Sequence, residues 1–280
     1  MSDPTGPSPA VTLRASDGAT AVVHHDGAHV TSWRPAPAHD ERLFLSGRTL
    51  LREGAAIRGG VPVIFPQFAA EGPLPRHGFA RTMRWALDGV SADAGDALAI
   101  FSLADSPATR AIWPARFRAS LTVRVGGAQL AITLAVENAG GDPLAFTAAL
   151  HSYLAVAALD DARLVGLQGS RYRESGGSGA LVGDEAAELR PSGEVDRVYV
   201  GVAAPLELRE PDRSLHITAV GFPDVVVWNP GPAKAAALAD LTPGGERHFL
   251  CVEAGAVQAP VHLAPTARWS GTQRLAVMAP

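Results

Sequence analysis

The chain has 280 residues, 47% of them hydrophobic, with 24 Lys+Arg against 28 Asp+Glu and a formal net charge of −4. That length can bury a substantial core in one large β domain or two smaller ones. Mild acidity without a block of like charge argues against a nucleic-acid partner, which selects a basic face, yet leaves room for a small anion held by local arginines.

No apolar run approaches the length of a membrane span. The opening MSDPTGPSPA lacks the basic and apolar regions of a secretory leader. The one cysteine, Cys251, allows no internal disulfide. The expectation is a soluble, cytoplasmic, monomeric protein. Residues 1–10, rich in Pro, Ser and Gly, are expected to be a flexible segment, and 11–280 a single domain without a linker.

From Val11 the pattern is short apolar runs separated by turn residues. VTLRA (11–15), ATAVVHH (19–25) and AHVTSW (28–33) read as strands, with Asp26-Gly27 as the hairpin turn between the last two. His24, His25 and His29 invite a metal reading. Adjacent strand residues face opposite sides, however, so His24 and His25 do not readily share an ion. They read instead as polar or partly buried strand residues, and His39 as an exposed loop residue.

Residues 42–52 connect without periodicity. The stretch 57–85, IRGGVPVIFPQFAAEGPLPRHGFARTMRW, is too dense in Gly and Pro for a helix. It sets an arginine in each of two Gly-rich turns, Arg58-Gly59-Gly60 and His77-Gly78-Phe79-Ala80-Arg81. Glycine admits positive φ and close approach. Arginine offers a planar fork of donors suited to carboxylate, phosphate or paired hydroxyls. The stretch reads as one wall of a pocket, although either arginine could equally tie a loop to a carbonyl or carboxylate.

Strand patterning resumes in LAIFSL (98–103), FRASLTVRV (117–125), QLAITLAVEN (129–138) and LAFTAALHSYLAV (144–156), with Gly126-Gly127 as a hairpin signal. Apolar residues alternate with Arg, Thr, Ser or Glu, as in antiparallel sheets with one face on a core. Residues 170–183 read as a mobile Gly/Ser-rich loop. GEVDRVYVGV (193–202), LELRE (206–210), SLHITAV (214–220) and DVVVWNP (224–230) continue the strands. PAKAAALAD (232–240), Ala-rich with Pro at its start, is the only helix predicted. HFLCVEAG (248–255) follows, and 261–278 reads as two closing strands. The fold class is all-β: a large antiparallel sandwich with one short helix.

No Walker loop, no GxGxxG after a strand, no CxxC pair and no GxSxG elbow is present. What remains are histidines and carboxylates at strand ends. His151 closes the apolar run LAFTAALHSY, where a strand delivers it to the mouth of a sheet. Glu253 lies between Val252 and Ala254, an awkward place for a carboxylate without a partner or a task.

IRGGVPVIFPQF followed by LPRHGFAR, with the segments at 151–153, 193–199, 224–240 and 248–255, resembles the hexose-6-phosphate mutarotases of the glucose-6-phosphate 1-epimerase type. These are a branch of the aldose 1-epimerase superfamily, and the resemblance covers nearly all of 11–280. It implies a galactose mutarotase-like supersandwich that interconverts sugar anomers by ring opening, on a small-molecule sugar phosphate. It implies no cofactor, no metal, no nucleic acid and no membrane. On this resemblance His151 is the acid at the ring oxygen and Glu253 the base on the anomeric hydroxyl. Arg58 and Arg81 grip phosphate and sugar, His77 stands on the substrate side, Asp196 binds hydroxyls, and Asp240 is a further acidic position. Arg76 and Leu154 depart from the family pattern, which usually has a small polar residue or Gln at the first and an aromatic at the second. A non-catalytic sugar-binding sandwich, a mutarotase of unphosphorylated sugars and a two-carboxylate glycoside hydrolase are the rival readings.

Overall fold

The computed structural model describes residues 8–36, 40–175, 177 and 179–278. In chain order the elements begin with β1 (Ala10–Arg14), β2 (Thr20–His24), β3 (His29–Arg34), β4 (Val63–Ile64), β5 (Ala86–Asp93) and β6 (Asp96–Ala104). Next come α1 (Pro107–Ile112), β7 (Phe117–Gly126), β8 (Gln129–Asn138), β9 (Leu144–Leu150), β10 (Tyr153–Ala155), β11 (Arg163–Val165) and β12 (Arg171–Glu174). The rest are β13 (Val182–Gly183), β14 (Glu188–Leu189), β15 (Val195–Val200), β16 (Leu206–Arg209), β17 (Ser214–Val220), β18 (Asp224–Asn229), α2 (Gly231–Ala235), β19 (Phe249–Leu263) and β20 (Arg268–Val277). None of the described helices is long and apolar enough to cross a membrane.

Strands β1–β3 form a small antiparallel sheet. A nine-stranded sheet runs β14-β11-β16-β17-β20-β8-β7-β6-β5. An eight-stranded one runs β13-β12-β15-β18-β19-β9-β4, with β10 also on β19. The nine-stranded sheet shows clean alternation. In β7, Phe117, Ala119, Leu121, Val123 and Val125 are buried, while the residues between them are partly or fully exposed. Side chains of successive strand residues point to opposite faces, so this is a sheet with one covered side. Its covered side meets Val225, Val227, Leu250, Val252 and Ala254 of β18 and β19 in one apolar cluster, joined by Leu13, Val23 and Trp33 of the small sheet.

Strand β18 and the first half of β19 are buried almost throughout. Their second faces, bearing Val226, Cys251 and Glu253, turn away from that core toward the segments 57–81 and 231–248. There smaller clusters gather around Ile64 and Phe68 and around Tyr153 and Phe249. This second face of the eight-stranded sheet carries the candidate site.

Several expectations need correction. Ser8 and Pro9 are held, not loose: the Ser8 N–H donates to the Leu51 carbonyl at 2.8 Å, and Pro9 accepts from the His25 N–H at 2.9 Å. Ala10 already belongs to β1. Among the described residues there are two α-helices, not one. The overlooked α1 has Ser106 as N-cap in a reciprocal capping box with Thr109, and Pro107 in its first turn, a start signal visible in the sequence. Helix α2 is five residues long, Gly231–Ala235, and takes in only the first four of the Ala-rich run. The segment 170–183 is not one loop, since β12 pairs with both β13 and β15. The close of the chain holds one new strand, because VHL is the end of the long β19, which continues through a bulge between Ala256 and Val261. His39 lies outside the described residues.

Candidate active site

A cavity of about 500 Å³ lies on the second face of the eight-stranded sheet. His151, Tyr153, Trp228 and Glu253 form its floor. The turn at 58–60 and the loop at 68–81 bring Arg58, Arg76, His77 and Arg81, and β15 brings Asp196. Helix α2 and the turn after it add Lys234 and Asp240. All six residues singled out from the sequence for catalysis or binding therefore line one cavity.

His151 sits where a ladder breaks. Leu150, the last residue of β9, pairs with Ala254, and Tyr153, the first of β10, pairs with Cys251. His151 and Ser152 thus stand opposite Glu253 and Val252 in unshifted register; the Val252 N–H still donates to the Ser152 carbonyl at 3.1 Å, but the Ser152 N–H turns to the Leu150 carbonyl at 3.0 Å. On the other side, continuing the register of β9 with β4, the His151 N–H donates to the Pro62 carbonyl at 3.0 Å, and that of Tyr153 to Gly60 at 2.9 Å. Directly opposed residues of an antiparallel pair carry their side chains on one face, and His151 Nε2 lies 3.3 Å from Glu253 Oε1. The imidazole stacks on the Tyr153 ring, 4.8 Å between centroids and 11° between planes, and meets the edge of Trp228 at 5.7 Å.

The two side chains are 10% and 1% exposed. Burial, reinforced by His77, Arg81 and Arg58, drives the His151 pKa well below its ordinary value. Burial, with Asp196 second, drives that of Glu253 well above. Both shifts oppose charge, as removal from water requires. A carboxylic acid beside a neutral imidazole and a carboxylate beside an imidazolium hold the same single proton. Passage between them needs only its transfer along one contact. Glu253 Oε2 and His151 Nδ1 are buried without a hydrogen-bond partner. For Glu253 this is the mark of a group kept for something other than structure.

His77 is fixed by two contacts to one residue. Its N–H donates to the Ala69 carbonyl at 2.8 Å, and the Ala69 N–H donates to its Nδ1 at 3.2 Å. Nδ1 is thus the acceptor, and a neutral ring carries its proton on Nε2. Burial and then Arg81, Arg76 and Arg58 lower its pKa to about 3. The residue holds φ 67°, a conformation His tolerates better than most side chains. Gly78 beside it has no such latitude: a Cβ there would come within 2.2 Å of the Phe65 carbonyl oxygen. The Arg58 turn is equally tight, since a Cβ on Gly60 would lie 2.2 Å from the Val30 carbonyl oxygen.

The arginines differ in their engagements. Arg58 Nε donates to Asp240 Oδ1 at 3.2 Å, and another guanidinium nitrogen donates to Tyr153 Oη at 3.0 Å. Arg81 donates only to the Arg76 carbonyl at 3.2 Å. Among the described residues neither Arg76 nor Arg81 has a carboxylate partner, whereas Lys234 is paired with Glu194. Asp196 stands opposite Trp228 in the β15–β18 ladder. Burial raises its pKa, against a hydrogen bond from Ser175. Sequence reasoning did not single out Trp228 or Lys234 for the site. Alternation from Val226 places Trp228 on the site face, a signal available in the sequence. Lys234 announced itself only as the sole lysine of the chain.

The aldose 1-epimerase family model matches residues 9–276, and the chain belongs to that family of sugar epimerases. Over 271 residues it is 33% identical to a protein of Cenchrus ciliaris that bears the provisional name glucose-6-phosphate 1-epimerase, spanning 93% of this chain and 82% of that one. A protein of Escherichia coli with the same provisional name is 34% identical over 262 residues, 86% of this chain and 84% of that one. The crystal structure of YeaD from Salmonella typhimurium, provisionally named a mutarotase, superimposes with a TM-score of 0.86 at 30% identity. That match covers 94% of this chain and 88% of that one.

Proposed function

We propose that this epimerase interconverts the α and β anomers of a hexose 6-phosphate, with glucose 6-phosphate as the preferred substrate, and that His151 and Glu253 perform the proton transfers. The observation that carries the reading is their 3.3 Å approach on the cavity floor. In the reactive form the proton resides on His151. Glu253 takes the proton of the anomeric hydroxyl. As the C1–ring-oxygen bond breaks, His151 gives its proton to the ring oxygen, leaving an open-chain aldehyde. Rotation about C1–C2 presents the other carbonyl face. The ring hydroxyl then attacks C1 and returns its proton to His151, and Glu253 protonates the new anomeric oxygen. The pair ends as it began, as acid/base catalysis near neutral pH requires.

Around this centre the neutral His77 offers its Nε2–H to a sugar oxygen. Asp196 accepts from hydroxyls, and Trp228 gives an apolar surface beside the ring. The phosphate preference is supported by charge. Four cationic side chains line the cavity, Arg58, Arg76, Arg81 and Lys234, and only Arg58 and Lys234 are matched by carboxylates. Two guanidinium groups are left for a dianion. The provisional names of the relatives point the same way. The proposal includes a cytoplasmic monomer that works without cofactor or metal, since the chemistry needs neither.

The test is anomer exchange measured by NMR on glucose 6-phosphate and on glucose, with and without protein. Faster exchange of glucose 6-phosphate, with a smaller effect on glucose, is expected. Equal acceleration of both removes the phosphate preference. Acceleration of neither leaves a sugar-binding protein without the activity.

A further inference from the structure

Because the Ser152 N–H turns to the Leu150 carbonyl, the ladder leaves the Val252 carbonyl to be satisfied inside the core, and one residue of the opposite sheet does so. Gln273 lies in β20, in register with Ala219 and Ile132. It points inward with Gly271 and Leu275 and is 2% exposed. A buried primary amide among aliphatic side chains is costly unless its donors and acceptor are used. Its Nε2 donates to the Val252 carbonyl at 2.9 Å, and its Oε1 accepts from Ser152 Oγ at 2.5 Å. Ser152 follows His151, and Val252 precedes Glu253. The Val252 N–H donates to the Ser152 carbonyl at 3.1 Å and closes the ring of contacts.

We propose that Gln273 is a positioning residue for the epimerase reaction. Its amide spans the two large sheets and fixes the strand segments on which His151 and Glu253 stand, and so sets the separation of the pair. This rests on the roles proposed above for those two residues. Alternation explains the arrangement. Ser152 faces the core because its neighbours His151 and Tyr153 face the cavity, and Val252 likewise because Glu253 does. An aliphatic residue at 273 fills the space but leaves the Val252 carbonyl and the Ser152 hydroxyl without partners at the break, where regular pairing offers no substitute. The strands are then free to slide or re-pair, and proton transfer is sensitive to such displacement.

The test compares Gln273→Met and Gln273→Glu with the parent, as folded full-length proteins. In Gln273→Met, kcat for glucose 6-phosphate is expected to fall roughly tenfold to a hundredfold, with KM within about twofold because the arginines are untouched. The imidazole ¹⁵N shifts of His151 should move. In Gln273→Glu the buried carboxyl stays protonated, donates to Val252 and accepts from Ser152, and should restore most of kcat and the parent shifts. If Gln273→Met does not fold, Ser152→Ala carries the comparison, with an expected loss in kcat of about threefold to tenfold. Parent kcat or parent His151 shifts in the folded Met variant, or in Ser152→Ala where that replaces it, overturn the proposal. Should Glu253→Gln prove fully active, the assigned roles fail. The His151 shifts still decide whether Gln273 governs the pair.

Discussion

Removal of Arg81 separates recognition of phosphate from chemistry. Arg81 projects from a short 3-10 turn, Ala80–Thr82, and among the described residues its side chain donates only to a backbone carbonyl. Arg81→Met therefore strands no buried carboxylate, and what is lost is the contact with ligand. A hydrogen bond to a charged group contributes about 1.5–3 kcal/mol. Because Arg81 is only half-buried, the lower part of that range applies, about 1.5–2 kcal/mol. At 1.4 kcal/mol per factor of ten this is roughly a tenfold to thirtyfold fall in kcat/KM for glucose 6-phosphate. The fall should appear in KM, since the phosphate lies away from the bond that breaks and is held alike in ground and transition states. Glucose has no group to lose and should change by less than about twofold. Arg58→Met is the contrast: it leaves Asp240 and Tyr153 Oη without their donor, so thermal stability should fall along with activity. Saturation-transfer NMR on the anomeric protons measures both substrates in one experiment. Equal losses on glucose and glucose 6-phosphate, or none on either, would refute the reasoning.

Glu253→Gln and His151→Asn should each lower the exchange rate by roughly two to four orders of magnitude with circular dichroism unchanged, and a parent rate in either sinks the assignment. Stability should also peak near pH 6.5. His29 and His77 are held neutral, with pKa lowered to about 3, so the unfolded chain binds two more protons than the fold as pH drops below 6.5. The stability they confer is complete above that pH and is lost toward pH 3, about 2 kcal/mol for each by pH 5. Between about pH 4.3 and 6.5 the His151–Glu253 pair holds one proton in either state and nearly cancels. At higher pH the folded pair retains a proton that the unfolded chain gives up, so stability declines again. Denaturant titrations at pH 5, 6.5 and 8 check this. His77→Gln should halve the loss on the acid side, and equal stability at pH 5 and 6.5 would be incompatible with neutral buried histidines.

Much of the candidate cavity was legible because the groups proposed for catalysis break local rules. A glutamate inside FLCVEAG contradicts its surroundings, and a histidine ending an apolar strand contradicts its own. Arginine followed by two glycines at 58–60 reads as a turn against a neighbour, and the turn does press on Val30. The division of labour between Arg58 and Arg81 was not legible. It depends on Asp240 arriving from a position 182 residues away, and local sequence carries no record of that. The long β19 was cut too early for a similar reason. Gly255 and Pro260 look like punctuation, but pairing with β9 resumes beyond the bulge, where Val261 faces Phe146. The reach of Gln273 was hidden for a third reason: a lone Gln in a strand is usually solvated, and only the opposite sheet supplies its partners.

The register of β9 and β10 on β19 also bears on how the proposed chemistry is set up. Leu150 pairs with Ala254 and Tyr153 with Cys251 in unshifted register, so His151 falls directly opposite Glu253 with both side chains on the cavity face. That register brings the imidazole to 3.3 Å from the carboxyl and gives a site suited to holding one proton between two groups. Anomer exchange consumes and returns one proton at each of two oxygens, so a pair that shuttles a single proton matches the demand of the reaction in both directions. Burial suppresses the doubly protonated and the fully deprotonated states, because each bears net charge in a dry place. The same burial that would make either group a liability alone thus selects the one protonation count from which ring opening and ring closure can both start.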